Sequence, residues 1–235
     1  MPHHYRYRSN RPGWRRLILA SGSPRRRQLI KAIDLPLRIV GSGDDEPDPS
    51  AGESPRLYVQ RLALQKAKFA TKMTRDDIVL GADTSVVIDD AILGKPASAT
   101  EAVQMLQLLR GRMHEVVTGI AILDTETGIC STSARASKVY MRQYSDDEIA
   151  RYVESGEPFD KAGAYAAQDA SFKPAERIDG CYANVIGLPV CDVLTLLDRI
   201  GVPTTFRLDW QAYPGCADCD YWATQTATKK GARRV

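Results

Sequence analysis

From residue 16 to about residue 200 the sequence alternates short apolar runs with stretches of helical period, and few folds accept that alternation. It calls for strands and helices in packed layers, an α/β or α+β architecture. Arg16-Leu-Ile-Leu-Ala20 reads as a short strand that Ser21-Gly-Ser-Pro24 turns into a helix, with Ser23 as N-cap and Pro24 at the first helical position. Leu29, Ile30 and Ile33 supply the apolar stripe of that helix. Residues 41–53 form an acidic loop rich in Gly and Pro. Ser54-Pro55 then repeats the capping signature and opens a long helix to about Lys72, with Leu57, Tyr58, Leu62 and Ala70 inward. Ile78-Val-Leu80 and Ser85-Val-Val-Ile88 are strand-like on either side of Gly81-Ala-Asp-Thr84. A helix over about 100–109, paired strands over 116–123 and 134–142, a capping box at Ser145-Asp-Asp-Glu148 and a last helix over about 190–200 complete the pattern. No linker or internal repeat interrupts residues 17–200.

The chain's 235 residues, 43% hydrophobic, suffice for a core that needs no disulfide or metal, and no stretch approaches the apolar length of a membrane span. The expectation is a soluble, cytoplasmic protein with no membrane partner. Its net charge of +3 invites a nucleic-acid reading, but the basicity is confined to the ends. Residues 1–16 hold five arginines and no acid; residues 229–235 hold Lys229, Lys230, Arg233 and Arg234. Without them residues 17–228 carry −6, so no specific nucleic-acid partner is expected. The expected organisation is a basic, disordered tail over 1–15, a single folded domain over 16–203 and an extension over 204–235. Five cysteines are an odd, sparse set, and Cys216-Ala-Asp-Cys219 is a single C-x-x-C, read as solvent-exposed thiols in that extension.

Four places carry chemistry. The turn Ser21-Gly-Ser-Pro-Arg-Arg-Arg27 puts Arg25, Arg26 and Arg27 at a helix start, where the backbone favours anions by about 0.3–1 kcal/mol. A bound phosphate would supply the missing negative charge; arginines pointing into solvent would also account for the turn. Asp83, central to an apolar strand pair, must be paired, hydrogen-bonded or functional, and a carboxylate there can bind a divalent cation or take a proton from water; an Asp capping a turn is the bland reading. Lys95 in Gly94-Lys-Pro96 could be held near the same cleft. The constrained stretch from Gly156 to Gln168 ends in an amide able to pair with a base edge.

In order and wording, LILASGSPRRRQLI, VLGADTSVVIDDAILGKP, HEVVTGIAIL, YVESGEPFDKAGAYAAQ and IDGCYANVIGLPV closely resemble the Maf family of nucleoside triphosphate pyrophosphatases over about residues 17–200. The resemblance implies an elongated mixed α/β sheet in two lobes around a central cleft, related to the inosine-triphosphate pyrophosphatase fold. It implies hydrolysis of a nucleoside triphosphate between the α and β phosphates, a requirement for Mg²⁺ or Mn²⁺, and a homodimer. Carried over by motif, Asp83 matches the general base. Ser21, Arg25, Arg26, Lys66, Thr84, Lys95 and Gln168 match substrate contacts, and Glu46 matches a metal-binding carboxylate. Lys66, on a helix whose apolar residues face inward, would have to emerge at that helix's cleft-facing edge. Arg25, Thr84 and Gln168 resemble the dTTP/UTP branch, whereas the 7-methyl-GTP branch tends to Trp at the first position and Glu at the last. Residues 168–174 depart from a loop usually richer in Gly, and Cys181 stands where Ser is common. A nucleotide-sensing regulator of cell division using the same pocket is the alternative function.

Overall fold

In the computed structural model, residues 15–43, 46–75, 77–202, 204 and 213–216 are described. A seven-stranded mixed sheet forms the body. Its strands are β1 (Leu17–Ala20), β2 (Leu37–Val40), β3 (Ile78–Ile88), β4 (Ala91–Leu93), β5 (Met113–Asp124), β6 (Cys130–Met141) and β7 (Ala175–Asp179). The helices are α1 (Pro24–Leu29), α2 (Pro55–Thr71), α3 (Ala99–Leu109), α4 (Asp146–Glu154), α5 (Tyr182–Val185) and α6 (Val190–Arg199). The strand order is β2-β1-β3-β5-β6-β7, with β4 paired to β3. β1 runs parallel to β2 and β3; the other pairings are antiparallel.

The capping signatures fold as their chemistry demands. Ser23, Ser54 and Ser145 each accept a backbone N–H of the first turn, and Glu148 closes the capping box. Two expectations fail. The Gly81–Thr84 stretch does not separate two strands: β3 passes straight through it, hydrogen-bonded to β5 from Ile78 to Val87. Leu57 does not face inward but is 59% exposed, because Tyr58, Leu62, Lys66 and Ala70, spaced by four, hold the buried stripe and Leu57 lies about 100° off it.

Side chains alternate along the long strands and build three apolar regions. On one face, Ile78, Leu80, Ala82, Ile120 and Ile122 pack with α1, α5 and α6, while Val86, Ile88, Val116, Val139 and Met141 pack with α3 and α4. These two clusters are the cores of two lobes. On the other face α2 covers Val79, Val117 and Ala121 through Val59, Leu62, Ala63 and Ala67. Glycine lets it lie that close: a Cβ on Gly81 would stand 2.0 Å from Ala63 O, and one on Gly119 would stand 2.3 Å from Val59 O.

Two contacts near the ends of the described chain are defined. Arg15 donates Nη1 to Asp124 Oδ2 at 2.7 Å and so ties the start of the described chain to the end of β5; residues 1–14 lie outside the described residues. Cys216 is buried at 7% exposure against the α5–α6 core rather than being a solvent-exposed thiol, since the short turn over Pro214–Cys216 packs near Tyr182. Cys219 lies outside the described residues. No helix among the described residues is long and apolar enough to cross a membrane.

Candidate active site

The site begins at a gap in the sheet. β3 has β5 along one side, but on its other side β1 stops pairing at Gly81 and β4 starts at Val86. Ala82–Ser85 therefore lack a strand partner on that side among the described strands, between the carboxyl end of β1 and the carboxyl end of the antiparallel β4. Clefts at the carboxyl ends of parallel strands are where open α/β sheets bind ligands. The gap also falls between the two apolar clusters, so the polar residues Asp83, Thr84 and Ser85 interrupt β3 where no lobe core needs them.

Asp83 points toward α2. Buried at 6% exposure, it accepts from Lys66 Nζ at 2.5 Å through Oδ1. Lys66 is itself 5% exposed and also donates to Glu46 Oε1 at 2.7 Å; Lys95 Nζ lies 3.5 Å from that same oxygen. Thus Glu46, Lys66, Asp83 and Lys95, from four separate segments, form one cluster. Lys66 does not emerge at an edge of α2; it sits in the buried stripe and reaches inward. Burial alone would push the Glu46 carboxyl up, but the Lys66 hydrogen bond and charge, with help from Lys95, outweigh it and hold the group below the usual carboxylate range. For Tyr58, burial and the nearby Asp83 and Glu46 charges push the phenol up.

Thr84 points to the opposite face. Its Oγ1 accepts from Arg26 Nη2 at 2.9 Å, while Arg26 Nε donates to Gly187 O at 2.8 Å. Burial lowers the Arg26 pKa against the attraction of Asp83, with Arg25 adding repulsion. Arg25 turns elsewhere: its Nη1 lies 4.0 Å from Asp160 Oδ2. Arg27 is exposed, so of the three arginines only this one follows the solvent reading. Ser21 is buried and its Oγ accepts from Ser23 N at 3.2 Å, shaping the turn before α1. Gln168 is exposed, and its amide makes no hydrogen bond among the described residues.

Sequence reasoning missed several participants. Asp160 bridges Arg25 to Lys161, a buried lysine whose Nζ donates to Asp160 Oδ1 at 2.6 Å and Glu157 Oε2 at 3.0 Å. Thr118, fully buried on β5, contacts Thr84 Oγ1 at 2.9 Å and donates to Asn184 O at 3.0 Å. A signal for Thr118 was present: it occupies the core-facing register between Val116 and Ile120, where a hydroxyl must find a partner.

Among the described residues no group of three or more His, Cys, Asp or Glu side chains converges on one point. The carboxylates on hand are Glu46 and Asp83, joined through Lys66. A hard dication such as Mg²⁺ takes one or two carboxylates and fills its remaining positions with waters and phosphate oxygens, so this donor pair fits one.

A family model described as Maf-like protein matches residues 16–200. The dTTP/UTP pyrophosphatase of Dehalococcoides mccartyi is 38% identical over 208 residues, covering 88% of this chain and 92% of its own length. That of Citrifermentans bemidjiense is 44% identical over 185 residues, covering 79% and 95%. That of Hahella chejuensis is 43% identical over 197 residues, covering 81% and 95%. A solved nucleoside-triphosphatase, the dITP/XTP pyrophosphatase of Mycobacterium abscessus, is similar at 16% identity and a TM-score of 0.39, over 54% of this chain and 74% of that one. With the family pattern matched from the β1 turn to α6 and relatives this similar over most of their length, the chain belongs to the Maf-like family.

Proposed function

We propose that this protein is a hydrolase that cleaves dTTP and UTP to the nucleoside monophosphate and pyrophosphate. The observation that carries the reading is the buried Asp83 carboxylate at the gap in β3, with Lys66 and Lys95 beside it and Arg25 and Arg26 across the strand. A triphosphate needs cations on several sides and a carboxylate that can take a proton from water, and the gap offers both. The curated relatives named above carry the same activity in their names.

In this mechanism Lys95 and Arg25, both reached by solvent, meet the phosphate oxygens first. Arg26, with two of its five N–H donors committed to Thr84 and Gly187, keeps the rest for an anion. Asp83 orients a water and accepts its proton as the oxygen adds to the α-phosphorus. The bond to the bridging oxygen breaks, and the electron pair leaves with pyrophosphate. Lys66 holds the Asp83 carboxylate in place from the α2 side and offsets its charge. Glu46 and Asp83 are the residues that would hold Mg²⁺ or Mn²⁺, which when bound would neutralise phosphate charge. Gln168, exposed and with its amide uncommitted, is assigned to the O4/N3 edge of thymine or uracil; a neutral amide suits that edge where a carboxylate would suit methylated guanine.

The test is pyrophosphate release from dTTP and UTP by the wild type and by Asp83→Asn. The wild type should turn over and the variant should lose at least ~1000-fold while keeping its circular dichroism and melting temperature. Near wild-type turnover by the variant would remove Asp83 from the role of base.

A further inference from the structure

We propose that Thr118 is a positioning residue for this reaction, acting through a closed ring of hydrogen bonds that aims the Arg26 guanidinium; the kinetic part of the proposal rests on the hydrolase reading above.

Proton counting fixes the direction of every bond in the ring. Arg26 has only donors, so in its 2.9 Å contact the Thr84 oxygen accepts. The Asn184 carbonyl has only acceptor capacity, so the single hydroxyl proton of Thr118 goes to it. The Thr118 oxygen is thereby left to accept in its 2.9 Å contact with Thr84, and the single Thr84 proton fills that place. Asn184 O also accepts Gly187 N–H at 2.9 Å, and Gly187 O accepts Arg26 Nε–H at 2.8 Å. The ring closes through the guanidinium, two hydroxyls and the Asn184 and Gly187 backbone, and it joins α1, β3, β5, α5 and the turn after α5.

Each member is held from outside as well. Asn184 is fully buried, and its Nδ2 donates to Val116 O and Ser137 Oγ, both at 2.9 Å. Gly187 has φ +111, a conformation that L side chains rarely adopt. Thr118 has 0% exposure, so no bulk water can replace its hydroxyl. The consequence for Thr84 is specific. Its proton is committed to Thr118, so it holds Arg26 in place and has no proton to donate to a ligand. Without the Thr118 oxygen, the Thr84 proton has no acceptor within the ring, since the remaining neighbour is a cation. The Thr84 hydroxyl that accepts from Arg26, one residue from Asp83, would then lose the bond that fixes its orientation, and the guanidinium would be held less firmly.

The experiment compares Thr118→Val with Thr118→Ser in the full-length protein. Two quantities are read: kcat/KM for dTTP, and water exchange of the Arg26 Nε–H NMR resonance without nucleotide, assigned through its loss in Arg26→Lys. Thr118→Val should lower kcat/KM by about 10–100-fold, the loss expected when a hydrogen bond to a charged group is broken. It should also speed Nε–H exchange by about 10-fold, since that proton is protected only while the ring holds. Thr118→Ser should restore both to within about threefold, because it keeps the hydroxyl. If Thr118→Val does not fold, Thr118→Ala is read in the same way. A Val or Ala variant within about twofold of wild type in both quantities overturns the proposal, as does a Ser variant as impaired as Val, which would assign the effect to the lost methyl group. If wild-type protein releases no pyrophosphate from dTTP but the Nε–H signal responds as stated, the hydrolase reading fails and the ring stands.

Discussion

Asp83 and Thr84 are neighbours in sequence but serve opposite faces of the sheet: Asp83 meets Lys66 of α2, and Thr84 meets Arg26 of α1. The two-residue period of a strand makes this unavoidable once β3 runs unbroken through both positions. Placed between the last β1 pairing at Gly81 and the first β4 pairing at Val86, the pair brings a carboxylate with its lysine and a hydroxyl with its arginine to one opening.

Lys66 is the shared cation of two carboxylates, so its removal should be felt in stability as well as in turnover. Lys66→Met should cost about 2–3 kcal/mol at pH 7, below the range for fully buried pairs because solvent screens the half-exposed Glu46. Turnover of dTTP should fall at least ~100-fold. Urea denaturation of the two proteins checks the first value; a Met variant as stable as wild type would mean that the buried charges are not held together by this lysine.

Gly81 sets how near α2 can come. Since a Cβ there would stand 2.0 Å from Ala63 O and 2.8 Å from Ala67 N, both backbone atoms, no rotamer change can relieve the clash. Gly81→Ala should destabilise the fold by about 3 kcal/mol and reduce turnover, because the shifted helix draws Lys66 from Asp83. Thermal melting and kinetics of the same preparation test this, and an unchanged melting temperature would contradict the close packing.

Local chemistry was legible in the sequence and tertiary chemistry was not. The Ser caps at 23, 54 and 145 could be read because each cap and the backbone N–H that donates to it lie three residues apart. The continuity of β3 through Gly81 and Asp83 could not, because both residues disfavour a strand until α2 and Lys66 explain them. The family motifs pointed to Asp83, Lys66, Glu46 and Lys95, and the structure brings these four together. The role of Thr118 is not legible locally, because its partners lie 34 and 66 residues away. The burial of Cys216 is hidden from the sequence for a similar reason: the core that covers it comes from α5 and α6.

His114 gives the protein a pH-dependent stability distinct from its chemistry. Burial lowers its pKa from 6.5 to about 4; Nε2 meets Tyr165 OH at 2.6 Å, and Nδ1 has no partner among the described residues. Above pH 6.5 the imidazole is neutral in both folded and unfolded chains. As pH falls from 6.5 towards 4 only the unfolded chain takes up the proton, so stability is lost through that window. Between pH 7 and pH 5 this one group should remove about 2 kcal/mol. Chemical denaturation at both values, with His114→Gln as the flatter reference, measures it; equal slopes for the two proteins would refute the assignment.

Base selection is expected to depend on Gln168. Gln168→Glu should lower kcat/KM for dTTP and UTP by about 10-fold or more while affecting 7-methyl-GTP less, since a carboxylate cannot donate to O4. A substrate ranking identical to wild type would mean that this side chain does not read the base.

The most direct measurement is the identity of the products formed from dTTP with Mg²⁺, followed by ³¹P NMR. Attack at the α-phosphorus predicts dTMP and pyrophosphate in equal amounts, with no dTDP at any time. Accumulation of dTDP and inorganic phosphate would place the cleavage at the γ-phosphate and contradict the role given to Asp83 and the cations around it.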